Sequence, residues 1–179
     1  MALPVVDFRS VNIVLSVCLW PTDGKPLFGL GRLSMSAFAV VFGGQYHPER
    51  FAACNIRFKY PCITCSVSDS GSMLILGVRS LAAARLLAFN LCLNITKEFG
   101  IQVLPKAFNQ WNEVVCGNLG YRVDLAKMHS QHPRLVSWDP ERFPALYIRG
   151  EGCPVVSVYG DSGLVGITGL DLERCGIED

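Results

Sequence analysis

The sequence predicts an α+β fold: two pseudo-symmetric repeats that build one curved antiparallel sheet, with helices on its convex face. Three observations predict it. First, His47-Pro-Glu-Arg-Phe-Ala-Ala-Cys-Asn-Ile-Arg57 recurs as Asp139-Pro-Glu-Arg-Phe-Pro-Ala-Leu-Tyr-Ile-Arg149, and from Pro48 to Gly77 12 of 30 positions are identical to those 92 residues on. Second, short β-branched runs bounded by turn residues follow each copy. Third, one long amphipathic helix separates the copies.

Each element has a local reason. Asn12–Trp20 alternates and is β-branched, so it reads as a strand. Pro21–Arg32, rich in Gly and Pro, reads as an insertion. Val11-Asn-Ile-Val14 recurs as Trp111-Asn-Glu-Val114 at an offset of 100, so the first repeat carries eight extra residues before Pro48. Leu33–Phe42 reads as a short helix. Phe51–Phe58, Ile63–Val67 and Ser72–Leu76 read as antiparallel strands, parted by Pro61 and by the Asp69-Ser-Gly71 turn. Ser80 caps a helix running to Phe99, with Gly100 as its stop. From Phe108 the order repeats, with a strand, a short helix near Arg122–Met128 and three strands between Phe143 and Thr168. The match runs without a gap through Asp161-Ser-Gly163 to Gly169, and the chain's stop at Asp179 leaves no room for a second long helix. The domain expectation is one domain over 1–179, with repeat one at about 10–100 (insertion near 21–32) and repeat two at about 101–179.

Composition excludes whole classes. Only 17% of the 179 residues are charged and half are apolar, against ~25% charged in an average domain; mean hydropathy is +0.33. Disorder needs the opposite balance. The most apolar stretches, Leu33–Phe42 and Leu81–Leu93, fall short of the ~20 residues a bilayer requires. The N-terminus has no basic n-region or long h-region, so no secretory signal is read. The eight cysteines then read as free thiols. Cys62-Ile-Thr-Cys65 lies in a β-branched stretch whose residues three apart point to opposite faces, so it reads as structural. His129 and His132 lack further ligands, and Asp139-Pro-Glu141 is a turn. No catalytic constellation, metal site or cofactor motif appears. The scarcity of charge implies a large apolar surface, and such a surface needs a partner.

These residues resemble the core domain of the TATA-box-binding protein family. Its Asn-Ile-Val strand is matched by Asn12-Ile-Val14 and Asn112-Glu-Val114. Its Pro-x-Arg-Phe segment is matched by Pro48-Glu-Arg-Phe-Ala-Ala53 and Pro140-Glu-Arg-Phe-Pro-Ala145, and its Ser-Gly hairpin by Ser70-Gly71 to Gly77 and Ser162-Gly163 to Thr168-Gly169. The match extends from about Val11 to Leu170. The insertion and cysteine load look more like the viral TATA-binding-like proteins of late transcription, as in herpesviruses, than a cellular member.

The resemblance implies a saddle whose concave sheet binds the minor groove of A/T-rich double-stranded DNA. Asn12 and Asn112 match the asparagines that hydrogen-bond base edges, and an amide suits a groove offering only acceptors at A·T pairs. Phe51 and Phe143, beside Ala52 and Pro144, match wedges that pry apart base steps. Val14, Leu74, Leu76, Val114, Val158 and Thr168 match the sheet-face contacts, and Arg57, Arg79 and Arg149 the phosphate contacts. The sequence also departs from the pattern. The family's second wedge in each half is replaced by Ser68 and Gly160; Tyr159 is adjacent, but reaches the wedge site only through a one-residue slip. Several lysines are replaced by Ser72, Cys62, Pro154, Leu164 and Asp171, and net charge is only +1, so counterion release contributes little.

The implied function is a non-enzymatic promoter-recognition factor that nucleates a transcription initiation complex. It would act in the nucleus (the host nucleus if viral), with RNA polymerase II machinery or initiation factors, and with other viral late-transcription proteins if viral. No membrane and no cofactor are involved. The alternative is a protein–protein scaffold with weak or no DNA binding. A third reading is an accessory domain of an enzyme, since the fold also precedes some nucleases and glycosylases.

Overall fold

A computed structural model describes residues 6–29, 31–59 and 61–169. Its elements run β1 (Arg9–Pro21), α1 (Met35–Phe42), β2 (Gln45–His47), β3 (Phe51–Phe58), β4 (Ile63–Ser68), β5 (Ser72–Val78), α2 (Leu81–Phe99), β6 (Val103–Asn118), α3 (Leu125–Gln131), β7 (Val136–Ser137), β8 (Ala145–Ile148), β9 (Val155–Tyr159) and β10 (Leu164–Thr168). The strands belong to one ten-stranded antiparallel sheet, ordered β2-β3-β4-β5-β1 through the first repeat and β6-β10-β9-β8-β7 through the second. This is the predicted α+β class. The edge strands β2 and β7 are additions to the sequence reading: each is only two or three residues long, too short for its alternation to stand out in the sequence. Whether a helix follows Gly169 concerns residues outside those described.

The chain divides into two compact units, one of Asn12–Trp111 and one of the remaining residues. In the first, β1 alternates strictly: Ile13, Leu15, Val17 and Leu19 are buried, while Asn12, Val14, Ser16 and Cys18 are half-buried and Trp20 is exposed. The buried set meets Ile56, Cys65, Ile75, Phe38 and the inward face of α2 (Ala84, Ala88, Leu91, Ile95) in one core. Helix α2 has its predicted bounds. Ser80 Oγ accepts from Ala83 N–H at 3.2 Å, and Gly100, at φ +68°, closes the helix by donating to the Thr96 carbonyl.

Strand β6 starts five residues earlier than expected and changes faces on the way. Val103 and Pro105 are buried, Ala107 takes a left-handed φ of +53°, and Phe108 then turns inward, its ring 6.5 Å from Phe89 and 5.8 Å from the Arg85 guanidinium. One residue in that conformation adds a bulge and resets the alternation.

The second unit has a smaller core, Leu125, Val136, Leu146, Val158 and Val165, with Ile148, Val156 and Ile167 only half-buried against it. Helix α3 begins three residues later than expected, because Asp124 caps it: the carboxylate accepts from Lys127 N–H at 2.9 Å.

Candidate nucleic-acid interface

Strand partners share a face of the sheet, so the register defines the face left open by the helices. In the first unit the rows Arg57–Thr64–Leu76–Val14 and Asn55–Ser66–Leu74–Ser16 lie on it. In the second, Val114–Thr168–Val155 and Cys116–Gly166–Ser157–Tyr147 do the same. Thus Val14, Leu74, Leu76, Val114 and Thr168 lie on the open face. Arg57 and Arg149 are exposed, and Arg79 is exposed just past β5.

The two asparagines form matching devices. In the β1–β5 register Ile13 faces Val78 and Val14 faces Leu76, so Gly77 is a bulged extra residue, at φ +88°. That conformation suits glycine, and a Cβ there would come within 2.5 Å of the Cys62 carbonyl. The freed Gly77 N–H donates to Asn12 Oδ1 at 2.9 Å. In the second unit Gly169, at φ +84°, donates its N–H to Asn112 Oδ1 at 3.0 Å. An N–H donor requires an oxygen opposite it, which fixes the orientation of both amides. Each Oδ1 serves the backbone, and each Nδ2 keeps its two donors with no partner among the described residues.

Phe51 is 56% exposed and Phe143 40% exposed, so neither is a core residue. Ala52 and Pro144 beside them are exposed too. Phe143 stacks on Tyr147, centroids 5.6 Å apart, and meets Tyr159 edge-on at 6.1 Å; the Arg149 guanidinium lies 5.4 Å from the Tyr147 ring centroid.

Tyr159 reaches that position through a register slip, which corrects one expected contact. Strand β9 is displaced by one residue relative to β4. Ser66 pairs with Leu74, but Ser157, not Val158, pairs with Gly166. Val158 therefore faces the helix side, 5% exposed among Leu146 and Val165, and is not an open-face residue. Tyr159, paired with Leu164 and Ala145, takes the place corresponding to Ser68, which pairs with Ala53. Gly160 is an added turn residue, and the β8–β9 connection is one residue shorter. The repeat is thus not gapless. Over β9 the true offset is 91, which aligns Ser66-Val67 with Ser157-Val158 and Cys62 with Cys153. That short identity was the available signal.

Sequence reasoning also missed Trp111, whose indole Nε1 donates to Ser16 Oγ at 2.7 Å, and Lys106, whose ammonium lies 5.3 Å from the Trp20 ring centroid.

The thiols behave as structural residues. Cys62 is exposed and Cys65 buried, so the pair points to opposite sides. Burial pushes the Cys65 and Cys92 thiols up to about 12 and raises Cys54. The folded state therefore holds these protons longer than the free chain, and this contribution to stability falls as pH rises from about 9. Alkylation of the native protein at pH 8, mapped by mass spectrometry, should label Cys62 and Cys153 and spare Cys54, Cys65 and Cys92; the three buried thiols should react only after unfolding. Among the described residues no group of three potential metal ligands occurs, and no helix is long and apolar enough to cross a membrane.

Two repeats of open-faced antiparallel strands with helices on one side define a TATA-binding-protein-like fold. The structure superposes on Methanococcus jannaschii TBP with a TM-score of 0.76 and 25% identity, covering 94% of this chain and 93% of that one. The family model "Transcription factor TFIID (or TATA-binding protein, TBP)" matches residues 30–98. The chain is 32% identical over 130 residues to the TATA-box-binding protein of Caenorhabditis elegans, covering 73% of this chain and 38% of the relative. It is 29% identical over 144 residues to TATA-box-binding protein 2 of Arabidopsis thaliana, covering 80% and 72%. It spans about half the length of the relatives from wheat and Emericella nidulans, 59% and 53%. Residues 30–98 thus match the model of a transcription-factor family, and the relatives and the structural neighbour are TATA-binding proteins.

Proposed function

We propose that this domain recognises A/T-rich DNA from the minor groove through the open face of its sheet and helps to nucleate a transcription initiation complex. The observation that carries this is the paired asparagine device. In each repeat a left-handed glycine spends the amide oxygen and leaves two donors on the face, which suits a groove whose A·T edges offer only acceptors. The exposed phenylalanines flanking each half supply apolar wedges. We place its action in the nucleus, with initiation factors and RNA polymerase II machinery as partners. Its cysteine load, insertion and missing lysines support assigning it to the viral late-transcription type, with other viral late-transcription proteins as its assembly partners.

Binding of the chain to a short A/T-rich duplex, compared with a G/C-rich one at low salt, tests the reading; equal affinity for the two overturns it. The salt dependence should be shallow. Arg57, Arg79, Arg149 and Lys106 are the exposed cations placed to meet phosphates, which corresponds to a slope of log K against log salt of about −3 to −4. A slope of about −6 or steeper would reveal a basic surface not among these residues. The thinness of this basic set favours the second reading, a protein–protein scaffold, for which neither duplex binds while partner proteins do.

A further inference from the structure

We propose that Trp111 is a specificity-determining residue of this interface, its indole seated in the minor groove so as to reject a guanine amino group. This rests on the DNA-binding reading above. Trp111 is 71% exposed, the most exposed aromatic side chain described. Ser16, which holds it, projects from the open face of β1 opposite Leu74. The indole's only polar atom is spent in the 2.7 Å bond to that hydroxyl, so the ring is held in one orientation and its remaining edge is carbon. Trp20 is different, because the Lys106 ammonium sits over its ring. A large apolar ring held on a strand face and left in water gains by being covered.

The chemistry of the groove decides what covers it well. A·T pairs present acceptors on a smooth floor, whereas guanine projects its N2 amino group into the groove as a donor. A carbon edge can neither accept from that amino group nor make room for it. A G·C pair beneath Trp111 therefore leaves a donor desolvated and unpaired. Asn12, on the same open face as Ser16, supplies donors and Trp111 supplies the exclusion, so the two act on the groove by opposite means.

The test is competition binding of the full chain, at low salt, to an A/T-rich duplex and to a set carrying one G·C pair at each successive position. The wild-type chain should lose about tenfold or more at one or two adjacent positions. Trp111→Ala should cut that loss to within about threefold while weakening A/T binding more evenly. Trp111→Phe, which keeps a ring but not the N–H, and Ser16→Ala, which frees the indole, should give intermediate penalties. Tryptophan emission should change on binding the A/T duplex in the wild type and not in Trp111→Phe, where Trp20 and Trp138 remain. If the wild type prefers A/T while Trp111→Ala keeps every G·C penalty and Trp111→Phe keeps the emission change, this inference fails alone. If the wild type binds no duplex, the DNA-binding reading fails and this one with it.

Discussion

Replacing Asn12 and Asn112 together by Ala should abolish the preference for A/T-rich over G/C-rich duplex. Each lost base contact should cost about 1–3 kcal/mol of discrimination. The geometry adds a second consequence. Each carboxamide oxygen also holds a glycine N–H, at 2.9 Å from Gly77 and 3.0 Å from Gly169. Asn12→Ala leaves a part-buried donor unpaired, which should destabilise the free protein by about 1–3 kcal/mol. The Asn112 bond is exposed, so Asn112→Ala should cost less. Aspartate separates the two roles. Asn12→Asp and Asn112→Asp keep an acceptor for the glycine but remove both donors, so they should retain stability and lose the A/T preference. The measurements are competition binding with both duplexes and thermal melts of each variant. Unchanged selectivity in the double Ala variant, with the fold intact by circular dichroism, would sink the assignment of the asparagines.

DNA bending should be unequal at the two ends of the site. The second repeat offers Phe143 with Tyr159 edge-on beside it and Tyr147 stacked against it. The first offers Phe51, while its neighbouring site holds Ser68, whose hydroxyl bonds Ser70 Oγ at 2.7 Å and donates to the Ser72 carbonyl at 3.1 Å. A pair of rings unstacks a base step more completely than one ring beside a serine. The total bend should therefore fall below the ~80° known for the family's founding protein. Phe143→Ala should remove more of it than Phe51→Ala, Tyr159→Ala should remove a measurable part, and Ser68→Phe should increase it. Fluorescence energy transfer across an end-labelled duplex reads the bend. Thermal melts of the free variants read the packing. Phe51→Ala should leave stability nearly unchanged, and Phe143→Ala should cost only the ~0.5–1.5 kcal/mol of its ring contacts. A loss of ~3–5 kcal/mol would mark a core residue instead. Such a loss, or a bend insensitive to every one of these substitutions, overturns the wedge assignment.

The sequence by itself determined the elements whose causes are local. The α2 boundaries follow from Ser80 and Gly100, because a cap satisfies its own backbone groups within a turn. Strand β3 matches its expected span, Phe51–Phe58, and β1 shows its buried stripe, because alternation is written along one strand. The α+β class followed from the repeat. The pairing of Asn12 with Asn112 and of Phe51 with Phe143 followed from it too.

Tertiary structure alone decided which side chains of the less patterned strands reach the open face. Val155-Val156-Ser157-Val158-Tyr159 is apolar on both faces, so a one-residue slip leaves no break in hydrophobicity, yet it exchanges Val158 for Tyr159. The shorter connection before β9 and the added Gly160 after it cancel, so the identical segments on either side stay at an offset of 92 and hide the slip. The face change in β6 turns on Ala107, a residue type that gives no warning of a left-handed bulge. Trp111 is tied to Ser16 on the open face of β1 by a hydrogen bond between residues 95 positions apart. Helix caps and alternation act between near neighbours, and a strand's register is settled by partners that only the folded sheet brings alongside it.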